Sequence, residues 1–245
     1  MSALQASLDT TPPGSFQHGT AALMGLLTMA ALCWDGRRSG DAHARSLARR
    51  WVWGMLWVQL PLLAVSFHPR WWDVNLSLPL HLCDVGVFLV AGALWTGKRA
   101  LRACTYFWGL GLSSLAFVTP ALDSGPFHLG YWFFWAAHTQ VVGGALFDVW
   151  VLGFRPRLRD LGVGFGSALV YAAVVMPIDL WLGVNYGFLG REDLSQSGTL
   201  LALLPPWPLS VLTLMGVVGA WFAALWLPWA LVGGLRSAQA RSRPT

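Results

Sequence analysis

The chain has 245 residues, of which 56% are hydrophobic and only 11% charged, with 16 Trp and a net charge of +5. Soluble domains carry about 25% charged residues, so this composition excludes an ordinary soluble enzyme and identifies a membrane protein. The basic excess sits in short blocks between apolar runs, which the positive-inside rule explains better than nucleic-acid binding does.

Seven apolar segments follow in order: Phe16–Trp34, Trp51–Phe67, Leu78–Trp95, Ala103–Thr119, Tyr131–Val151, Leu161–Leu182 and Leu209–Val232. Each is near the ~20 residues that a bilayer requires. The expected fold is therefore all-α: a polytopic helical bundle of seven transmembrane helices. Residues 1–15 form a short extracytoplasmic tail, 16–233 the bundle and 234–245 a basic cytoplasmic tail. The tail before Phe16 has no Lys or Arg and lacks the basic start of a signal peptide, so the first span is expected to be retained.

Orientation follows from the 16 Lys and Arg. All but Arg70 and Arg191 fall in the first, third and fifth loops and the C-terminal tail. An odd number of spans, with the N-terminus outside and the C-terminus in the cytoplasm, puts those blocks on one side. Trp34, Trp51, Trp95 and Trp150 would mark the inner interface, and Trp71, Trp72, Trp132, Trp181 and Trp207 the outer one. The expected location is the cell (inner) membrane, as a multi-pass protein. Gly109-Leu110-Gly111 and Gly162-Val163-Gly164-Phe165-Gly166 read as sites of close helix packing.

Leu78-Pro79-Leu80-His81-Leu82-Cys83-Asp84 is the most informative stretch. It sets imidazole, thiol and carboxylate at the start of an apolar span, where an ionisable group costs about 2.5–3.5 kcal/mol and usually serves a site. At 1.5 Å per residue Cys83 lies about 5–8 Å inside the outer boundary, and His138 about 10 Å inside. His18, Gln140 and Asp179 share that outer half, and Asn185 and Tyr186 follow just beyond. Asp148 lies at the opposite end, where pairing with basic loop residues is expected. Cys33 and Cys104 are at that end too, too far from Cys83 for a disulfide.

In a continuous helix His81 and Asp84 are i,i+3 neighbours, whereas Cys83 points about 200° away from His81. A base for Cys83 must then come from another helix, and His138 is the histidine deep in a span. A Cys–His pair suffices for acyl transfer, with imidazole taking the thiol proton and thiolate attacking an ester carbonyl. Asp84, Asp179 or Asn185 could orient the imidazole. The same residues admit plainer readings: Cys83 as a small packing residue, His138 with Thr139 and Gln140 as interhelical glue, and His81/Asp84 as a buried ion pair. A metal site from His18, His81, Cys83, Asp84 and His138 lacks any recognised ligand spacing, so none is expected. Pro205-Pro206-Trp207-Pro208 reads as a rigid outer-face turn before the last span, which could cover the mouth of a site or simply cap the bundle.

Leu80-His81-Leu82-Cys83-Asp84, the mid-span His138, Asn185-Tyr186 and the Pro-Trp-Pro before the last span together resemble the YwaF family of bacterial membrane proteins. That family is similar to eukaryotic transmembrane protein 164. The chain departs from it after Trp207, reading Pro208-Leu209-Ser210 where the family has Pro-Trp-Tyr. The resemblance implies an acyltransferase moving fatty acyl groups between phospholipids, with the functional pair falling on Cys83 and His138. The supporting polar shell would be His81, Asp84, Gln140, Asp179, Asn185 and Tyr186. No cofactor is needed if the donor is itself a phospholipid; the partners would be membrane lipids, an acyl donor and a lysolipid acceptor, and no nucleic acid. The competing functions are a transporter or small-ligand carrier with a polar intramembrane site, and a non-catalytic lipid-binding or assembly protein.

Overall fold

The computed structural model describes residues 11–122, 124–196 and 200–241. Asp9 and most of the expected N-terminal tail, and Arg243 of the basic tail, lie outside the described residues. Seven α-helices are present and no strand is found among the described residues. They are α1 (Phe16–Arg38), α2 (Gly40–Ser66), α3 (Leu82–Thr96), α4 (Arg99–Phe107), α5 (Leu129–Trp150), α6 (Leu158–Leu182) and α7 (Leu209–Arg241). Among the described residues three segments are long and apolar enough to cross a membrane, Phe16–Arg38, Leu158–Leu182 and Leu209–Val232; Leu82–Thr96 is apolar but shorter. Leu26, Leu27, Val170, Val174, Trp181, Leu212 and Leu231 stand exposed on these helices. An apolar surface of that kind is what a bilayer covers.

Local chemistry sets the helix ends. Ser15 caps α1, its hydroxyl accepting the His18 backbone N–H at 3.2 Å, and Arg37 and Arg38 in the last turn suit the helix dipole. α2 begins eleven residues before the apolar run expected at Trp51, because Ala44 and Ala48 bury against the bundle and good helix formers fill the turn between. α3 begins at Leu82, four residues later than expected. Pro79 disfavours a helical Leu78, and Leu80 closes a turn onto the Leu78 carbonyl at 2.7 Å.

The fourth apolar run is not one helix. α4 widens into a π turn at Trp108–Leu112 and tightens into a 3₁₀ turn at Ser113–Phe117. Gly109 and Gly111 sit where a Cβ would reach Ala145 on α5 and Phe222 on α7, at 2.7 and 2.8 Å. The two glycines thus let both helices close in, and the Gly111 carbonyl accepts the Trp221 indole N–H at 2.9 Å. Gly164 meets the Phe107 ring in the same way, whereas Gly162 and Gly166 face open space.

Contacts between loops show that the helices alternate in direction. At one end Arg99 pairs with Asp160, Arg102 with Asp148 at 2.8 Å, Arg49 lies over Trp95 and Arg155 over Trp229. The expected pairing of Asp148 with a basic loop residue is thus present. At the other end Ser66 reaches Ser77, Tyr186 reaches Val74, and His18 reaches Phe117. Of four apolar clusters among the described residues, two fill the space between. One joins α1, α2, α3 and α5 around Met55, Val87, Val90 and Phe147. The other joins α4, α6 and α7 around Phe107, Phe154 and Phe222, with Leu82, Val85 and Leu89 of α3 packed on it. α3 is therefore the wall shared by both cores.

Candidate functional site

The register of α3 against α5 fixes the site. A Cβ on Gly86 would lie 3.4 Å from Val141 and 3.8 Å from the Ser113 hydroxyl, and a Cβ on Gly144 would run into Val90. The two helices therefore run parallel, with 86 beside 141 and 90 beside 144. One turn toward their N-termini brings Cys83 on α3 and His138 on α5 to the same level. The 3₁₀ turn Ser113–Phe117 closes the third side of this junction.

His138 is buried, with 8% of its surface exposed. Its Nδ1 lies 2.7 Å from the Phe134 carbonyl oxygen. A carbonyl only accepts, so Nδ1 carries the proton and the Nε2 lone pair is left without a partner among the described residues. That is the tautomer a general base requires. Cys83 is half-buried in the first turn of α3, and all three cysteines are free thiols.

His81 is not helical: it occupies the N-cap position with φ −61° and ψ 148°. The sequence-based geometry assumed a continuous helix from Leu78, yet His81 still lies within electrostatic reach of Asp84 and its backbone N–H bonds the Asp84 side chain. The His81 Nε2–H donates to the Asn75 carbonyl at 3.1 Å, and its ring packs on Tyr186 with centroids 4.6 Å apart. The carboxylate of Asp84 accepts the Gln59 side-chain amide at 3.0 Å, across from α2.

Asp179 is almost fully buried near the end of α6. One carboxylate oxygen accepts the Tyr186 backbone N–H at 3.0 Å and the other has no partner among the described residues. Tyr186 is itself fully buried; its hydroxyl donates to the Val74 carbonyl at 2.5 Å and accepts the Leu78 N–H at 3.2 Å. Below it, Gly187 at φ +63° passes the Tyr171 hydroxyl so closely that a Cβ would sit 2.5 Å from it. Asp73, in the loop that Tyr186 clasps, has its carboxyl held below the usual range by the backbone and side-chain N–H groups of Asn75. So Tyr186 and Asp179 tie the segment after α6 to the segment before α3.

Two expected members turn elsewhere. Asn185 bonds Glu192 at 2.8 Å and the Gly190 N–H at 2.8 Å, folding its own loop. Gln140 lies about 200° around α5 from His138; its backbone carbonyl accepts the Trp51 indole, and its side-chain oxygen is buried without a partner. His18 has both ring nitrogens occupied, by the Gly14 N–H and the Phe117 carbonyl, and stacks on Trp135. Among the described residues no group of three or more His, Cys, Asp or Glu is placed to hold a metal.

Two neighbours were not picked out from the sequence. Gln59 was legible as the lone amide in an apolar run. Tyr171 was not, being one aromatic in a long apolar helix; its hydroxyl donates to the Leu80 carbonyl at 2.6 Å, and it lies within electrostatic reach of Cys83, Asp84 and Asp179. Tyr171 also lines an apolar groove of about 310 Å³ between α3, α4 and α6, with Leu80, Val85, Leu89, Trp108 and Val175. The groove opens sideways past Val170 and Val174, at 65% and 56% exposure.

Comparison with curated proteins and with solved structures finds no match. The TMEM164 family model matches residues 14–226, which takes in every helix that contributes to the site. The chain belongs to the TMEM164 family of membrane proteins.

Proposed function

We propose that this protein is an integral membrane acyltransferase that moves fatty acyl groups between phospholipids through Cys83 and His138. The bundle would cross the membrane seven times, with the arginine-rich end in the cytoplasm and the Cys83 end toward the outer leaflet. The observation that carries the reading is the shared level of Cys83 and His138 on adjacent parallel helices, with Nδ1 of His138 tied back to Phe134.

In this reading Nε2 of His138 takes the Cys83 proton, the thiolate attacks the donor ester, and the proton passes from His138 to the departing glycerol oxygen, so that a lysophospholipid leaves and a thioester remains. A lysolipid hydroxyl then gives its proton to His138 and attacks the thioester, taking the acyl group, and the released Cys83 thiolate recovers the proton from His138. Tyr171 and Leu80 line the lateral groove, whose apolar walls suit an acyl chain entering from the bilayer. The test is acyl exchange by the purified protein in liposomes, with a panel of phospholipids and lysolipids. Wild type is expected to transfer label and Cys83→Ser to lose transfer; no exchange with any donor would reject the proposal.

The half-buried Asp84–Gln59 pair and the unpartnered oxygen of Asp179 favour a second reading, a carrier whose polar cluster binds a proton or small ligand. It predicts flux that falls with Asp179→Asn and is indifferent to Cys83→Ala.

A further inference from the structure

A second apolar groove, of about 270 Å³, lies between α2 and α3 toward the arginine-rich end of the bundle. Val52, Trp53 and Leu56 of α2 form one wall, and Gly92, Trp95 and Thr96 of α3 form much of the other. The two indoles meet edge to face, with centroids 6.2 Å apart. The Thr96 hydroxyl is already used: it donates to the Gly92 carbonyl at 2.6 Å and accepts the Lys98 N–H at 3.2 Å. Little in the walls is therefore left to bind a polar ligand. Trp53 and Trp95 are more than half exposed, and Trp57, one turn farther along α2, is more exposed still. The groove thus opens onto the apolar surface that the bilayer covers.

Both helices carry the groove to a cation at the same end. On α2, Arg49 lies one turn before Val52 and Trp53, and its guanidinium sits over the Trp95 ring, 5.7 Å from the centroid. On α3, which runs the opposite way, Thr96 is the last helical residue and Lys98 follows across Gly97. Arg49 and Lys98 are exposed, and neither makes an ion pair among the described residues. Arg99 and Arg102, the next basic residues along the chain, are instead held by Asp160 and Asp148. No carboxylate lines the groove. An apolar slot that ends in two unneutralised cations complements an acyl chain that ends in a phosphate.

We propose that this groove binds an anionic glycerophospholipid from the leaflet at the arginine-rich end, its phosphate on Arg49 and Lys98 and one acyl chain along Val52 and Leu56. The guanidinium offers a planar fork that matches two phosphate oxygens, and the ammonium adds a point charge. A choline headgroup would cancel the phosphate charge, so a lipid with net negative charge is favoured. The proposal does not rest on acyl transfer. Trp95 is twelve residues along α3 from Cys83, about 18 Å at 1.5 Å per residue, so this lipid is a ligand rather than the substrate of the Cys83 junction.

Native mass spectrometry of the full-length protein in detergent, titrated with dioleoyl phosphatidylglycerol or dioleoyl phosphatidylcholine, tests the site. Wild type is expected to retain one phosphatidylglycerol at least about 5-fold more tightly than phosphatidylcholine. Arg49→Gln and Lys98→Gln should each weaken phosphatidylglycerol about 5-fold, and the double variant about 25-fold. Both side chains are exposed, so melting temperatures should stay near wild type. Arg159→Gln removes an exposed cation from the same end, on α6, which adds nothing to the groove wall; it should bind as wild type does. Glycerol 3-phosphate, the headgroup without chains, should not displace the lipid. Equal affinity of wild type for the two lipids would overturn the proposal, as would wild-type affinity in the double variant. A loss in Arg159→Gln as large as in Arg49→Gln would also overturn it, by assigning the preference to the basic surface as a whole. Displacement by glycerol 3-phosphate would remove the groove from the site and overturn it too.

Discussion

Individual residues carry sharply different weights in this molecule. Gly187 combines a positive φ with a Cβ position 2.5 Å from the Tyr171 hydroxyl. Gly187→Ala is therefore expected to destabilise the protein by about 1–3 kcal/mol, read as a lower melting temperature in detergent. Asp148 is buried against Arg102, whose guanidinium also bonds the Leu152 carbonyl. Asp148→Ala leaves that cation without its carboxylate and should cost about 3 kcal/mol, the lower end for a broken buried pair because Arg102 retains some exposure. An unchanged melting temperature in either variant would contradict the packing described here. The cysteine, histidine and carboxylates near the start of α3 were legible in the sequence, because ionisable groups inside apolar runs stand out. What each one touches was not. His81 looked like a helical partner of Asp84, and only the turn after Pro79 shows it outside the helix, bonded to Asn75.

At the scale of elements, the α3–α5 contact matters most, since it sets the level of Cys83 against His138. Gly144 cannot accept a Cβ without displacing Val90, whereas Gly86 has ordinary contact distance to Val141. Gly144→Ala should therefore lower both thermal stability, by about 1–3 kcal/mol, and acyl transfer, while Gly86→Ala leaves both near wild type. Equal behaviour of the two variants would mean that the register is not as described. Helix positions were largely visible as apolar runs, and α5 and α6 start and stop close to expectation. α2 and α4 were not. The polar opening of α2 is helical because its alanines are buried, and α4 breaks because Gly109 and Gly111 admit two neighbouring helices. Both reasons lie in tertiary contacts that apolar periodicity does not encode.

For the whole molecule, the basic residues gather at one end because the helices alternate, and the Cys83 junction lies at the other. In the proposed topology Lys98 to Arg102 and Arg155 to Arg159 face the cytoplasm, and single cysteines at Ser39 and Arg157 in an otherwise cysteine-free chain should then resist a membrane-impermeant maleimide in intact cells. One at Asn75 should react. The reverse pattern would invert the proposed topology. The family membership agrees with what the ordered motifs implied, and it covers the described bundle from before α1 into α7. The proposed chemistry turns on one covalent species. Intact-protein mass spectrometry after incubation with a phospholipid donor should find wild type carrying one fatty acyl group, removable by neutral hydroxylamine and mapped to Cys83. Cys83→Ala should carry none, and His138→Ala should acquire it about 10²–10⁴-fold more slowly. Acyl transfer that proceeds undiminished in Cys83→Ala would contradict the account.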